Sequence, residues 1–328
     1  MPTKRGFERL LAALRDARGD PFAPTSLATL RTALADRNNV AVGKAAEIVG
    51  KSEVAVLAPE LVAAFDRFLQ EPTADPGCAA KSPLMDALYR LGHEEPAVFL
   101  RGLRCVQMER AYAERAGDPP WVDTAIDVRG SAAFGLARSG YRHTLIELAD
   151  LLADKEPPAR AAAARAMAYR AEPAALPLLR FKIRVGDEEG SVLTECFLAM
   201  LKIDARGSLE LVVKQLADGG PMAVAAGTAL GESRLPEAFP PLRDWCRTLA
   251  GTREEGTALV ALAALRHDEA FDELFSIIRE GRERSACRAL EALAVWRGDE
   301  RLVRRAREAC AARSEPAVRA ALVRAFGA

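Results

Sequence analysis

Three histidines are the first residues to weigh for chemistry: His93, His143 and His267. His93 precedes Glu94 and Glu95, His267 precedes Asp268, and His143 precedes Thr144. An imidazole beside a carboxylate suits metal binding or proton transfer, but a metal needs several such ligands converging on one point. Only one His-Glu pair is present. All three histidines fall where a helix is expected to end and turn, so capping roles are expected for them. The six cysteines (Cys78, Cys105, Cys196, Cys246, Cys287 and Cys310) are widely spaced and form no Cys-x-x-Cys pair. Most sit in apolar stretches, where Cys acts as a small hydrophobe, and they read as reduced thiols. No G-x-S-x-G or Cys/His signature and no G-x-x-x-x-G-K-[ST] loop occurs. The expectation is no catalytic residue, no metal and no cofactor.

Composition narrows the function further. Lys plus Arg and Asp plus Glu number 46 each over 328 residues, so the formal charge is zero. Nucleic-acid binders usually carry a basic excess that releases counterions from phosphate, so that partner is disfavoured. The charge is uneven, with an acidic stretch from Glu53 to Glu95 and an arginine-rich one from Arg279 to the end. The first twenty residues lack an apolar core because Glu8, Asp16 and Asp20 interrupt them, which argues against a signal peptide. The uncharged run Gly219 to Gly231 contains Pro221 and is too short to span a bilayer. A cytoplasmic location without membrane insertion is expected. The arginine- and alanine-rich usage suggests a GC-rich bacterial genome.

The elements that must position any site come from an internal repeat. One pattern recurs: a small or basic leader, closely spaced alanines on one helical face, then Leu or another apolar residue. It reads DVRGSAAFGLA from 127, PPARAAAARAMA from 157, PMAVAAGTALG from 221, SACRALEALA from 285 and EPAVRAALVRAF from 315. Leaders at Arg129, Arg160, Ala223, Arg288 and Arg319 imply a period of 31 to 33 residues, with an extra copy inside each of two intervals. A second apolar helix follows each copy. Leu145, Leu148 and Leu152 illustrate its i, i+3, i+7 face, as do Leu209, Val212 and Leu216. Two helices in about thirty residues leave no room for strands, and small side chains let neighbouring first helices approach closely. No such unit buries its apolar face alone.

The spacing predicts an all-α superhelix of about nine helix pairs plus a terminal half-repeat. Residues 1–38 are expected to form a capping helical pair, and 39–328 a repeat solenoid with an enlarged, irregular unit at about 71–121. Within that unit a loop rich in Pro and small residues (71–83) is expected, then a long helix from about Pro96 to Ala116, closed by the break GDPPW at 117–121.

From about residue 39 onward the chain resembles the HEAT-repeat family, specifically the short HEAT-like repeats also found in phycobilin lyases. Asp127 and Arg129 match that family's Asp-Val-Arg motif, where such residues bond to adjacent repeats. The resemblance implies an armadillo/HEAT-like solenoid and says little of function. Deoxyhypusine hydroxylases share the repeat and bind di-iron through several His-Glu dyads, of which this chain has one. HEAT-like DNA glycosylases use a basic, aromatic-lined concave face, for which three Trp, four Tyr and zero net charge are poor material.

Binding of a protein or peptide partner is the expectation that remains, as a non-catalytic scaffold. The alternatives are an enzyme of the phycobilin-lyase type, or nucleic-acid binding through the arginine-rich C-terminal repeats. The second helices are expected to line the concave face. Aligning them nominates Phe181, Lys182, Lys214, Gln215, Asp244, Trp245 and Arg307 as candidate binding residues, with Trp245 as anchor. The same alignment puts Leu151, Ser276 and Ile277 in the row. Trp121 reads as a loop cover or second anchor, and Trp296 as a cap against the following repeat.

Overall fold

The computed structural model describes residues 4–111 and 120–327. Within them the chain forms nineteen α-helices and one two-stranded ribbon. The helices are α1 (Lys4–Ala17), α2 (Pro24–Leu34), α3 (Asn39–Lys51), α4 (Ala58–Gln70), α5 (Lys81–Arg90), α6 (Pro96–Leu103), α7 (Ile126–Arg138), α8 (Thr144–Leu151) and α9 (Pro157–Arg170). They continue as α10 (Leu176–Val185), α11 (Gly190–Ile203), α12 (Ala205–Lys214), α13 (Gly220–Ser233), α14 (Phe239–Thr248) and α15 (Glu255–Ala264). The last four are α16 (Asp268–Glu280), α17 (Glu283–Leu293), α18 (Glu300–Cys310) and α19 (Pro316–Phe326). Read in order, these are nine pairs followed by a single helix, and consecutive elements pack on one another. The fold is that of HEAT-like helical repeats.

The helices start and stop on local chemistry. Asn38 caps α3 by accepting from the Ala41 N–H at 3.1 Å, and Asp204 caps α12 through the Gly207 N–H at 2.9 Å. Asp299 does the same for α18 through the Arg301 and Leu302 N–H groups. Prolines open α2, α4, α6 and α19, where a missing N–H costs nothing. Gly186, at φ +87°, ends α10 in a conformation that side chains resist.

The chain divides into two compact units, Met1–Arg170 and Ala171–Ala328. In each, the first helices of successive pairs pack more closely than the second helices do. Small residues allow it. In the first unit, a Cβ on Gly50 of α3 would fall 2.8 Å from the Ala87 Cα of α5. In the second, a Cβ on Gly231 of α13 would fall 2.2 Å from the Ala261 carbonyl oxygen of α15.

Within each unit arginines tie several repeats to their neighbours. Arg67 donates to the Leu34 and Asp36 carbonyls, both at 3.0 Å, and Arg138 to those of Tyr89 and Arg90, both at 3.2 Å. In the second unit Arg288 pairs with Glu255 at 2.8 Å and Arg301 with Asp268 at 2.9 Å, while Arg305 pairs with Asp272. Each of these three pairs spans 33 residues, one structural repeat. Arg313 reaches the Arg279 and Gly281 carbonyls at 3.0 and 2.8 Å.

The third pair departs from the expected long helix. α6 ends at Leu103, and residues 108–110 form strand β1 (Met108–Arg110), antiparallel to β2 (Trp121–Asp123) with Glu109 opposite Val122. Tertiary partners claim the backbone that a continued helix would need. The Cys105 carbonyl accepts from Arg129, the Gln107 N–H donates to Asp123, and the Gln107 carbonyl accepts from the Thr124 N–H. The expected helical residues 112–116 and the first three residues of the GDPPW break lie outside the described residues. The preceding loop closes around Asp75. Its buried carboxylate accepts from the Ala80 and Lys81 N–H groups, from Asn39 and from the Lys81 ammonium at 3.1 Å.

Candidate binding surfaces

The histidines settle into turns. His143 and His267 stand at the N-caps of α8 and α16, and His93 lies between α5 and α6. The His267 Nε2 lies 3.0 Å from the Arg234 carbonyl, and His93 packs edge-on against Phe99 at 6.1 Å. Among the described residues no three His, Cys, Asp or Glu side chains gather as metal ligands would. Burial pushes the Cys196 and Cys246 thiols up to about 12 and the Cys78 thiol up to about 11. Thiols so raised are poor nucleophiles at neutral pH.

Of the Asp-Val-Arg residues, Arg129 is buried at the junction of the ribbon and the following repeat. It bonds the Cys105 carbonyl at 2.8 Å, Asp123 at 2.7 Å and Asp154 at 2.9 Å. Burial alone would raise the Asp123 carboxyl. The Ala125 and Gln107 N–H groups and the Arg129 guanidinium outweigh it and hold the carboxyl below its usual value. Asp127 instead faces solvent, with no partner among the described residues.

The candidate residues of the second helices stand in different settings. Trp245 is buried, at 7% exposure, with its indole lying over Gly227 of α13. It is a packing residue and not an exposed anchor, because Gly227 lacks the side chain that would hold the ring off. Leu151 is buried as well. Lys182 pairs with Asp187 at 2.8 Å, Asp244 pairs with the adjacent Arg243, and Arg307 stands exposed on α18. Lys214 and Gln215 come together with Arg180 and Arg184 along a groove of about 490 Å³ between α10 and α12. Phe181, on α10, is 69% exposed. Trp121, on β2, is also exposed, with the Arg110 guanidinium 5.3 Å from its ring. Trp296 packs against Phe271 and Arg266 of the preceding repeat.

A larger groove, about 670 Å³, runs across the first helices α3, α5, α7 and α9 of the amino-terminal unit. Three of these helices supply the same stripe. On α5 it is Ser82, Asp86 and Tyr89; on α7 it is Asp127, Ser131 and Phe134; on α9 it is Pro158, Ala162 and Arg165. Each is an i, i+4, i+7 set, one helical face repeated three times. Beside this groove Tyr89, Phe134 and Tyr169 form a ring cluster with centroids 5.6, 6.3 and 6.4 Å apart. Tyr169 is half exposed. Two contacts hold the walls. Arg138 ties the end of α5 to α7, and Phe99 of α6 lies on Gly135, where a Cβ would fall 2.1 Å from its ring. The repeated stripe is the signal that would have revealed this face in the sequence. The alanines on the same helices drew attention to packing instead.

No family model and no curated protein matches the chain. Similar solved structures include the complex of CpcE and CpcF of phycocyanin lyase from Nostoc, with 16% identity over 90% of this chain and 94% of that one, at a TM-score of 0.35. Another is an engineered protein, with 14% identity over 95% of this chain and 98% of that one, at 0.31. Human deoxyhypusine hydroxylase in complex with glycerol shows 17% identity over 91% of this chain and 92% of that one, at 0.26. No site or activity follows from likenesses of this depth.

Proposed function

We propose that the chain is a non-catalytic scaffold or adaptor that binds a protein or peptide partner, and that the amino-terminal unit does so with its first-helix face. The candidate surface thus lies on the alanine-rich first helices, and the second-helix row nominated from the sequence is the alternative surface. The observation that carries the proposal is the groove with the Tyr89, Phe134 and Tyr169 cluster beside it. Aromatic side chains with accessible rings give much contact area at low entropic cost, and they are enriched at interface cores. Polar Asp127, Ser131 and Arg165 alternate with apolar Ile126 and Pro158 along the lining, as in a protein-binding surface.

Six free cysteines, five of them buried, fit the reducing cytoplasm. No helix among the described residues is long and apolar enough to cross a membrane. The lyase-type alternative is compatible with the same helical-repeat fold.

The test begins with a partner recovered by cross-linking and then purified. Its affinity should fall about tenfold or more for Ser131→Trp, which fills the groove, and for the double variant Tyr89→Ala/Tyr169→Ala. Circular dichroism checks that both variants stay folded, and Arg165→Glu alters the same lining without changing the rings. A purified partner that binds all three variants as it binds the parent chain contradicts the assignment.

A further inference from the structure

Helix α10 leaves two parallel pairs of side chains in solvent, each one turn apart. Phe181 and Val185 are 69% and 67% exposed, large apolar groups that the fold does not cover. Beside them stand Arg180 and Arg184, both exposed, with no acidic partner among the described residues. Their situation is unlike that of Arg247, Arg288, Arg301, Arg305 and Arg313 in the same unit, each matched to a carboxylate. Across the groove of about 490 Å³, α12 presents Lys214, also exposed. The one acid on the lining, Glu210, already pairs with Lys214 at 2.9 Å. Lys182 is neutralised by Asp187 and adds nothing. The lining therefore carries three cations against one committed acid, next to an uncovered apolar pair.

Charge complementarity calls for an anionic occupant, and Phe181 with Val185 calls for an apolar one. A free anion would leave the apolar pair in water. A nucleic acid would want a row of stacking rings, and this face offers the single ring of Phe181. An amphipathic segment satisfies both, because acids at i and i+4 face the arginines while neighbouring leucines cover the apolar pair. We propose that the α10–α12 face is a docking site for an acidic, amphipathic segment of a partner protein, distinct from the groove of the amino-terminal unit.

The probe is a fluorescent synthetic peptide of Leu and Glu, about four helical turns long, titrated against the full chain and followed by anisotropy. Binding should weaken as salt rises and fall about tenfold or more in R180E/R184E, as for desolvated charge pairs. Phe181→Ser should lower affinity without changing the salt slope. R180K/R184K should retain much of the binding, and Tyr89→Ala/Tyr169→Ala should leave it unchanged. All four α10 residues are exposed, so the variants should melt with the parent chain. Three results would overturn the proposal: no preference over a Lys-for-Glu peptide, no effect of R180E/R184E, or tighter binding of a single-stranded oligonucleotide lost in the same variant. Because the amino-terminal groove is assayed by separate variants, failure here leaves that reading standing, and the reverse.

Discussion

Arg129 illustrates how much one side chain settles. It is buried at 2% exposure and closes a junction of two carboxylates and a carbonyl. Replacing it with alanine strands Asp123 and Asp154 without their countercharge, and the expected loss is about 3–5 kcal/mol in urea unfolding. Asp123 also gives this junction a pH dependence. Its carboxyl is held low in the folded chain, so the stability it contributes is complete above the unfolded value of about 4. That contribution fades as pH drops through the lower folded value. Asp123→Asn should therefore lower stability at neutral pH and flatten the acid limb of the curve, as read by urea midpoints across that range. Trp245 makes the opposite point about legibility. An indole six positions after the start of a second helix reads as an interface anchor, and only the partner position, Gly227, reveals it as packing. Trp245→Ala should cost about 3–5 kcal/mol by opening a cavity, and a parent-like melting profile for that variant would mean the ring is not part of the core.

At the scale of elements, the helix pairs were legible because their apolar faces recur with a helical period and their breaks are marked by Pro and Gly. The close approach of first helices was legible too, in the alanines. Gly231 shows that closeness in the carboxyl-terminal unit, with the Ala261 carbonyl 2.2 Å from where a Cβ would stand. Gly231→Ala must push α15 away and should cost about 1–3 kcal/mol, whereas Gly256→Ala, with nothing within 4 Å, should be neutral or mildly stabilising in the same melt. What stayed hidden was the end of α6. Helical patterning continues past Leu103, but Arg129, Asp123 and Thr124 take the backbone groups of Cys105 and Gln107 into a ribbon junction. Partners that lie about twenty residues away in sequence leave no local trace.

On the scale of the whole chain, zero net charge reflects how the arginines are used. In both units arginines span to the neighbouring repeat, on carboxylates or helix-end carbonyls, and within the arginine-rich stretch near the C-terminus Arg288, Arg301, Arg305 and Arg313 are used in this way. That use was not visible in composition, because the acids that answer them sit one repeat away. The proposed binding face was hidden for a related reason. Ser82, Asp86 and Tyr89 resemble an ordinary solvated stripe until Asp127, Ser131 and Phe134, then Pro158, Ala162 and Arg165, fall beside it in space. A partner is proposed to occupy that face. The most direct measurement places a photo-reactive phenylalanine analogue at Ser131, and in a second protein at Asp244 on the second helix α14, then compares cross-linking to the purified partner. Efficient cross-linking is expected from position 131, abolished by Tyr89→Ala/Tyr169→Ala, with only background from 244. Equal yields from the two positions, or a yield from 131 unaffected by loss of the rings, would contradict it.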